Sequence, residues 1–74
     1  MRTRAKSLRE TANFTQEYVA AYLHCDQSLY SKYERGTREL PLHFVICLAR
    51  LYHTSIDYIM ELTDEPAPYP PAGG

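Results

Sequence analysis

The chain has 74 residues, 45% of them apolar and 23% charged, with a formal net charge of −1. One domain is the only count that fits, and a chain this short buries only about 60% of its unfolded surface, so its fold must be economical. The longest apolar run, residues 44–49, is far too short to span a bilayer, and Arg2, Arg4, Lys6 and Arg9 lead into no apolar signal core, so the expectation is an intracellular, cytoplasmic protein.

Strand alternation is nearly absent and helical spacing recurs, which gives an all-α class. Residues 3–12 turn Lys6, Arg9 and Glu10 outward and space Ala5, Leu8 and Ala12 for one buried face. Asn13-Phe14 breaks that run, and Thr15 is a good N-cap for TQEYVAAYL, in which Val19, Ala20 and Leu23 share a face. Glu17 lies in the first turn, where the helix dipole favours an acid. His24-Cys25 makes a very short turn, and Asp26 caps a third helix, QSLYSKYER, followed by Gly36 where a C-terminus favours a residue free to take positive φ. Two helices joined by about three residues have helix-turn-helix geometry. Residues 37–40 form a loop, and Pro41 fits the first turn of a fourth helix with Leu42, Val45, Ile46, Leu48, Ala49 and Tyr52 on its apolar face. Ser55 caps a short fifth helix, SIDYIMEL, that buries Ile56, Ile59 and Met60. From Pro66 onward PAPYPPAGG cannot continue a helix and is expected to be an extended, flexible tail. The expected division is a helical domain over 1–64 and a Pro-rich tail over 65–74.

Wound at 100° per residue, the third helix separates its chemistry. Gln27, Ser28, Ser31, Lys32 and Arg35 share one arc, Leu29, Tyr30 and Tyr33 the opposite one, and Glu34 stands at the border. Amides pair with adenine and cations with guanine, so the polar arc can read base edges and phosphates. A solvated outer face would look the same, and one helix does not decide between them. Charge distribution helps: residues 1–38 carry a net +3 and residues 39–74 a net −4, so a basic half can dock on phosphate despite the negative total.

Cys25 and Cys47 read as small buried hydrophobes. Together with His24, His43 and His53 they show no metal-ligand spacing, so neither metal nor cofactor is expected. No nucleophile stands beside a base, and five short helices leave little room for a cleft. An enzyme, or a site for a small molecule, is therefore not expected.

Residues 8–62 resemble the Cro/C1-type helix-turn-helix family, the XRE or phage-repressor-like regulators of bacteria. The resemblance is carried by LRE at 8–10, TQEYVAAYL at 15–23, YSKYERG at 30–36, PLHFVICLARLY at 41–52 and SIDYIMELTD at 55–64, with unbroken spacing between the blocks. It implies a compact five-helix bundle whose second and third helices form the reading unit. It also implies roles. Gln27, Ser28, Ser31 and Lys32 would reach base edges, with Leu29 beside them for a thymine methyl. Gln16, Arg35, Thr37 and Arg38 would hold the phosphate backbone. Arg9 and Glu34 would form a structural ion pair, and Val19, Ala20, Leu23, Cys25, Tyr30 and Tyr33 would pack under the reading helix. His24 departs from the glycine common in the turn and is expected at positive φ, so glycine there should be neutral or stabilising. Glu34→Ala should cost more stability than Glu61→Ala. The expected partner is double-stranded DNA, bound by a homodimer on a roughly palindromic operator, with the exposed ring of Tyr58 on helix five as the dimer contact. The alternative is a protein-interaction module or antitoxin on the same fold.

Overall fold

The computed structural model describes residues 3–67, and among them there are five helices and no strand. These are α1 (Ala5–Thr11), α2 (Gln16–Tyr22), α3 (Gln27–Arg35), α4 (Leu42–Leu51) and α5 (Ile56–Ile59). The expected course of residues 68–74 as an extended tail lies outside the described residues.

Three starts follow from local side-chain chemistry. Thr15 accepts from Tyr18 N–H, Asp26 from Ser28 N–H and Ser55 from Tyr58 N–H, each satisfying a donor that the helix leaves unpaired. Pro41 is the N-cap of α4 rather than its first helical residue, and its carbonyl accepts from Phe44 N–H and Val45 N–H at 3.0 Å each.

All five ends share one device. A residue at positive φ follows the last turn: Asn13 (61°), His24 (57°), Gly36 (79°), His53 (52°) and Glu61 (62°). In each case the next N–H reaches back to a carbonyl five residues earlier. Phe14 N–H donates to Arg9 O (3.1 Å), Cys25 to Ala20 (2.9 Å), Thr37 to Lys32 (3.1 Å), Thr54 to Ala49 (3.0 Å) and Leu62 to Asp57 (2.8 Å). This is the Schellman closure, used here with a single glycine. It corrects the length expected of the fifth helix, since Glu61 turns the chain left-handed and α5 stops at Ile59.

The core is one cluster. Ala5 from α1, Val19 and Ala20 from α2, Tyr30 and Tyr33 from α3, Val45 and Leu48 from α4 and Ile59 from α5 are buried in it together, with Leu23 and Leu40 from the connections. Cys25 and Cys47, expected as buried, are half-buried against its margin. The two ends of the domain are tied through Arg4. Its N–H donates to Ile59 O (2.8 Å), and its guanidinium donates to Tyr58 O, to Thr63 O (2.8 Å) and to Asp64 Oδ1 (2.8 Å). Thr54 Oγ1 likewise donates to Pro66 O (2.6 Å), which holds the segment after α5 against the end of α4.

Candidate nucleic-acid interface

The third helix is amphipathic, and its apolar side is anchored first. Tyr30 is fully buried and Tyr33 nearly so, which fixes the rotation of α3 about its own axis. The opposite side then faces out. Gln27, Ser28, Lys32 and Arg35 are exposed, as are Thr37 and Arg38 just beyond the helix. Leu29 and Ser31 are half-buried, and Leu29 packs against the core, so only part of its side chain is available at the surface.

Beneath this edge lies a charged network. Arg9 Nε donates to Glu34 Oε2 at 2.7 Å and Arg9 Nη2 to Glu34 Oε1 at 3.2 Å, a two-pronged pair that joins α1 to α3. The side chains are only 14% and 1% exposed, so the pair belongs to the interior. A third Arg9 donor, Nη1, reaches Phe14 O at 2.9 Å, and Gln16 Nε2 donates to Glu34 Oε1 at 3.1 Å. One carboxylate therefore fixes α1, the start of α2 and the end of α3.

Burial alone would push the Glu34 carboxyl up, but the hydrogen bonds from Arg9 and Gln16, with the Tyr30 hydroxyl nearby, outweigh it and hold it below the usual carboxylate range. The Tyr30 and Tyr52 hydroxyls are buried and have no partner of full hydrogen-bond geometry. Burial, reinforced by the Glu34 charge, pushes the Tyr30 phenol far up and the Tyr52 phenol up to about 12. Both are neutral at any physiological pH.

Other expected contacts look different in the structure. The Gln16 amide, expected to face phosphate, has one of its N–H groups engaged by Glu34 and keeps the rest of its capacity. The Thr37 hydroxyl donates to Lys32 O at 3.2 Å and so helps to close α3. The exposed ring expected of Tyr58 is half-buried, because the Arg4 guanidinium lies 4.2 Å from its centroid. The basic half of the sequence is also less basic at its surface than its charge suggests. Arg9 is neutralised by Glu34 and Arg4 is paired with Asp64, so the exposed cations on and just beyond α3 are Lys32, Arg35 and Arg38, with Lys6 exposed on α1.

From the sequence, Asp26 reads only as a helix cap. Its Oδ2 accepts from both the backbone N–H and the hydroxyl of Ser28. The signal was present in the Asp-Gln-Ser spacing, since a short polar side chain two residues past a capping acid can turn back to it.

Away from α3, residues of α4, of α5 and of the connection between them form an open, mainly apolar groove of about 630 Å³ lined by Ile46, Ala49, Arg50, Ile56 and residues 53–55 and 57. The expectation of little room for a cleft is corrected to that extent. Among the described residues no group of His, Cys, Asp and Glu could hold a metal ion, and no helix is long and apolar enough to cross a membrane.

Five short helices, with α2 and α3 packed together across a tight left-handed turn and α3 presenting a polar edge, define a helix-turn-helix domain of regulatory type. Residues 6–59 match the helix-turn-helix family, and the chain belongs to it, in its Cro/C1 (XRE) branch. This is a family of DNA-binding transcription regulators rather than of enzymes. The chain is 40% identical over 65 residues to the uncharacterized HTH-type transcriptional regulator YobD of Bacillus subtilis (strain 168), an alignment covering 88% of this chain and 58% of that protein. The chain thus spans little more than half the length of that relative. No solved structure matches it.

Proposed function

We propose that this chain binds double-stranded DNA in a sequence-specific way and regulates transcription as a repressor. In this reading α3 enters the major groove, where Gln27, Ser28, Leu29, Ser31 and Lys32 meet base edges. Arg35, Thr37, Arg38 and Gln16 lie along the phosphates. The observation that carries the reading is the exposed polar edge of α3 held rigid from beneath by the buried Arg9–Glu34–Gln16 network. A single helix contacts too few base pairs to be selective, so two copies on a roughly palindromic operator, with half-sites about one turn apart, complete the proposal. The α5 side of each copy is the proposed dimer contact, with the uncovered edge of Tyr58 at its margin.

Gel shifts with duplex pools at two salt concentrations test this. Selected sites should be retained at low salt and lost steeply as salt rises, and Lys32→Ala should flatten base preference. Equal retention of all random sequences would instead favour a protein-interaction role, such as that of an antitoxin. The apolar α4–α5 groove is the observation on the side of that second reading.

A further inference from the structure

We propose that Asp26 sets the hydrogen-bond polarity at the front of the reading edge, so that the Asp26–Ser28 corner accepts only and selects a base with an exocyclic amino group, cytosine or adenine. The inference rests on the major-groove reading above and deepens it.

Ser28 carries one hydroxyl hydrogen, and the Asp26 carboxylate beside its oxygen decides where it goes. The hydroxyl and the Ser28 backbone N–H both point at Asp26 Oδ2. An ionised carboxylate has no hydrogen to give, so the serine must be the donor in this pair. The Ser28 hydrogen bond, outweighing slight desolvation, holds the Asp26 carboxyl below the usual carboxylate range, so it is ionised at neutral pH. A hydroxyl that donates inward offers only lone pairs outward. Both residues are exposed, and with Gln16, Gln27 and Ser31 they line an open polar notch at the front of α3.

One turn further along stands Lys32, exposed and able only to donate. The edge therefore runs from acceptors at its N-terminal corner to donors at its C-terminal end, with the Gln27 amide able to do either. In the major groove cytosine presents its N4 amino group, and adenine its N6 amino group beside N7. Guanine presents only acceptors and thymine an acceptor and a methyl. Guanine or thymine before Asp26 would set lone pair against lone pair beside a negative charge. Either would bind only by pulling the Ser28 hydrogen away from a charge-assisted bond. Before Lys32 the preference is the reverse, for guanine.

The test is selection of binding sites from random duplex DNA with the full chain, its Asp26→Asn variant and its Ser28→Ala variant. Asparagine caps a helix as well as aspartate does, so α3 is kept. The wild type should enrich a half-site in which one position prefers cytosine or adenine over guanine and thymine by roughly tenfold. In Asp26→Asn that one position should admit guanine, with its preference falling to about threefold or less, while the position facing Lys32 stays unchanged. Ser28→Ala should weaken the same position and no other. General affinity should rise in Asp26→Asn on every sequence, since a negative charge is lost, so only the change in base preference counts. A wild-type site whose pattern is the same in Asp26→Asn overturns the polarity proposal and leaves the regulator reading standing. A wild type that enriches nothing overturns both.

Discussion

The two halves of the domain are held in different ways. Around α3 the interior contains a guanidinium and an amide that both donate to one carboxylate, Glu34, with the buried phenols of Tyr30 and Tyr52 beside them. Around α4 and α5 the buried side chains are Val45, Leu48 and Ile59, with Thr54 and Ser55 between the helices held by hydrogen bonds to the main chain only, and the surface beside them is an open, mainly apolar groove. Apolar packing contributes free energy but tolerates small shifts in register, whereas a two-pronged ion pair with a third donor has one geometry. A helix that must present side chains to a groove at fixed spacing needs the second kind of support. A buried pair need not add net stability, but its two-pronged geometry ties the end of α3 to α1 in one orientation. The α3 half should fail through loss of charge, and the other half through loss of volume.

Removal of the carboxylate is the largest expected effect. Glu34→Ala strands the Arg9 guanidinium, 14% exposed, and should cost about 3–5 kcal/mol. In a domain of this size that lowers Tm by well over ~10 °C. The Glu61→Ala comparison expected from the sequence is a poor control, because Glu61 holds a φ of 62° and alanine there adds a backbone cost of its own. Glu39, exposed in the loop after α3, is the better one, and Glu39→Ala should stay within about 0.5 kcal/mol of the parent. Equal thermal shifts for the two would erase the difference between the halves.

Acid should act on the same half, by a smaller amount. The Glu34 carboxyl is held below its ordinary value in the folded protein, so the unfolded chain takes up its proton first as pH falls. The stability contributed by this group is complete above about pH 5, where the unfolded carboxyl (pKa about 4.3) is ionised, and is lost as pH falls through the folded value. Thermal melts of the parent should therefore fall between pH 6 and pH 3, and those of Glu34→Gln should fall less steeply, from a lower start. Leu48→Ala, which opens a void in α4 at a fully buried position, should keep the parental slope. Parallel slopes for the parent and Glu34→Gln would mean that other carboxyls govern acid unfolding.

The helix starts were legible because capping is local chemistry: Thr15, Asp26 and Ser55 each sit within three residues of the N–H they accept from. The span of α3 was legible for the same reason, with Asp26 and Gly36 marking its two ends. The core came from spacing, and Val19, Ala20, Leu23, Tyr30 and Tyr33 are all buried. The Arg9–Glu34 pair was visible only through family resemblance, since no local pattern joins residues 25 positions apart. The roles of Arg4 and Gln16 were not visible at all. Their partners lie 54 to 60 and 18 positions away, so a sequence shows them as free charge and free amide. The Arg4 cover over Tyr58 and the α4–α5 groove depend on how distant segments are placed in space, which periodicity does not encode.

The helix ends give the smallest and most local contrast. Four of the five left-handed closures use residues with a Cβ, for which that conformation costs about 1–2 kcal/mol, and only the end of the reading helix uses glycine. His24→Gly in the reading half and His53→Gly after α4 should each remove that strain, against a loss from the greater freedom of glycine in the unfolded chain. The net expectation is between no change and a gain of about 1 kcal/mol, read as the shift in urea midpoint at constant slope. Gly36→Ala should move the other way by about 1–2 kcal/mol, because alanine must enter the strained region where glycine was relaxed. The reading half and its opposite should agree here, since the strain belongs to the backbone and not to the network. If His24→Gly instead destabilised while His53→Gly did not, the His24 side chain would have to contribute to the turn between α2 and α3 through a contact that outweighs its own strain.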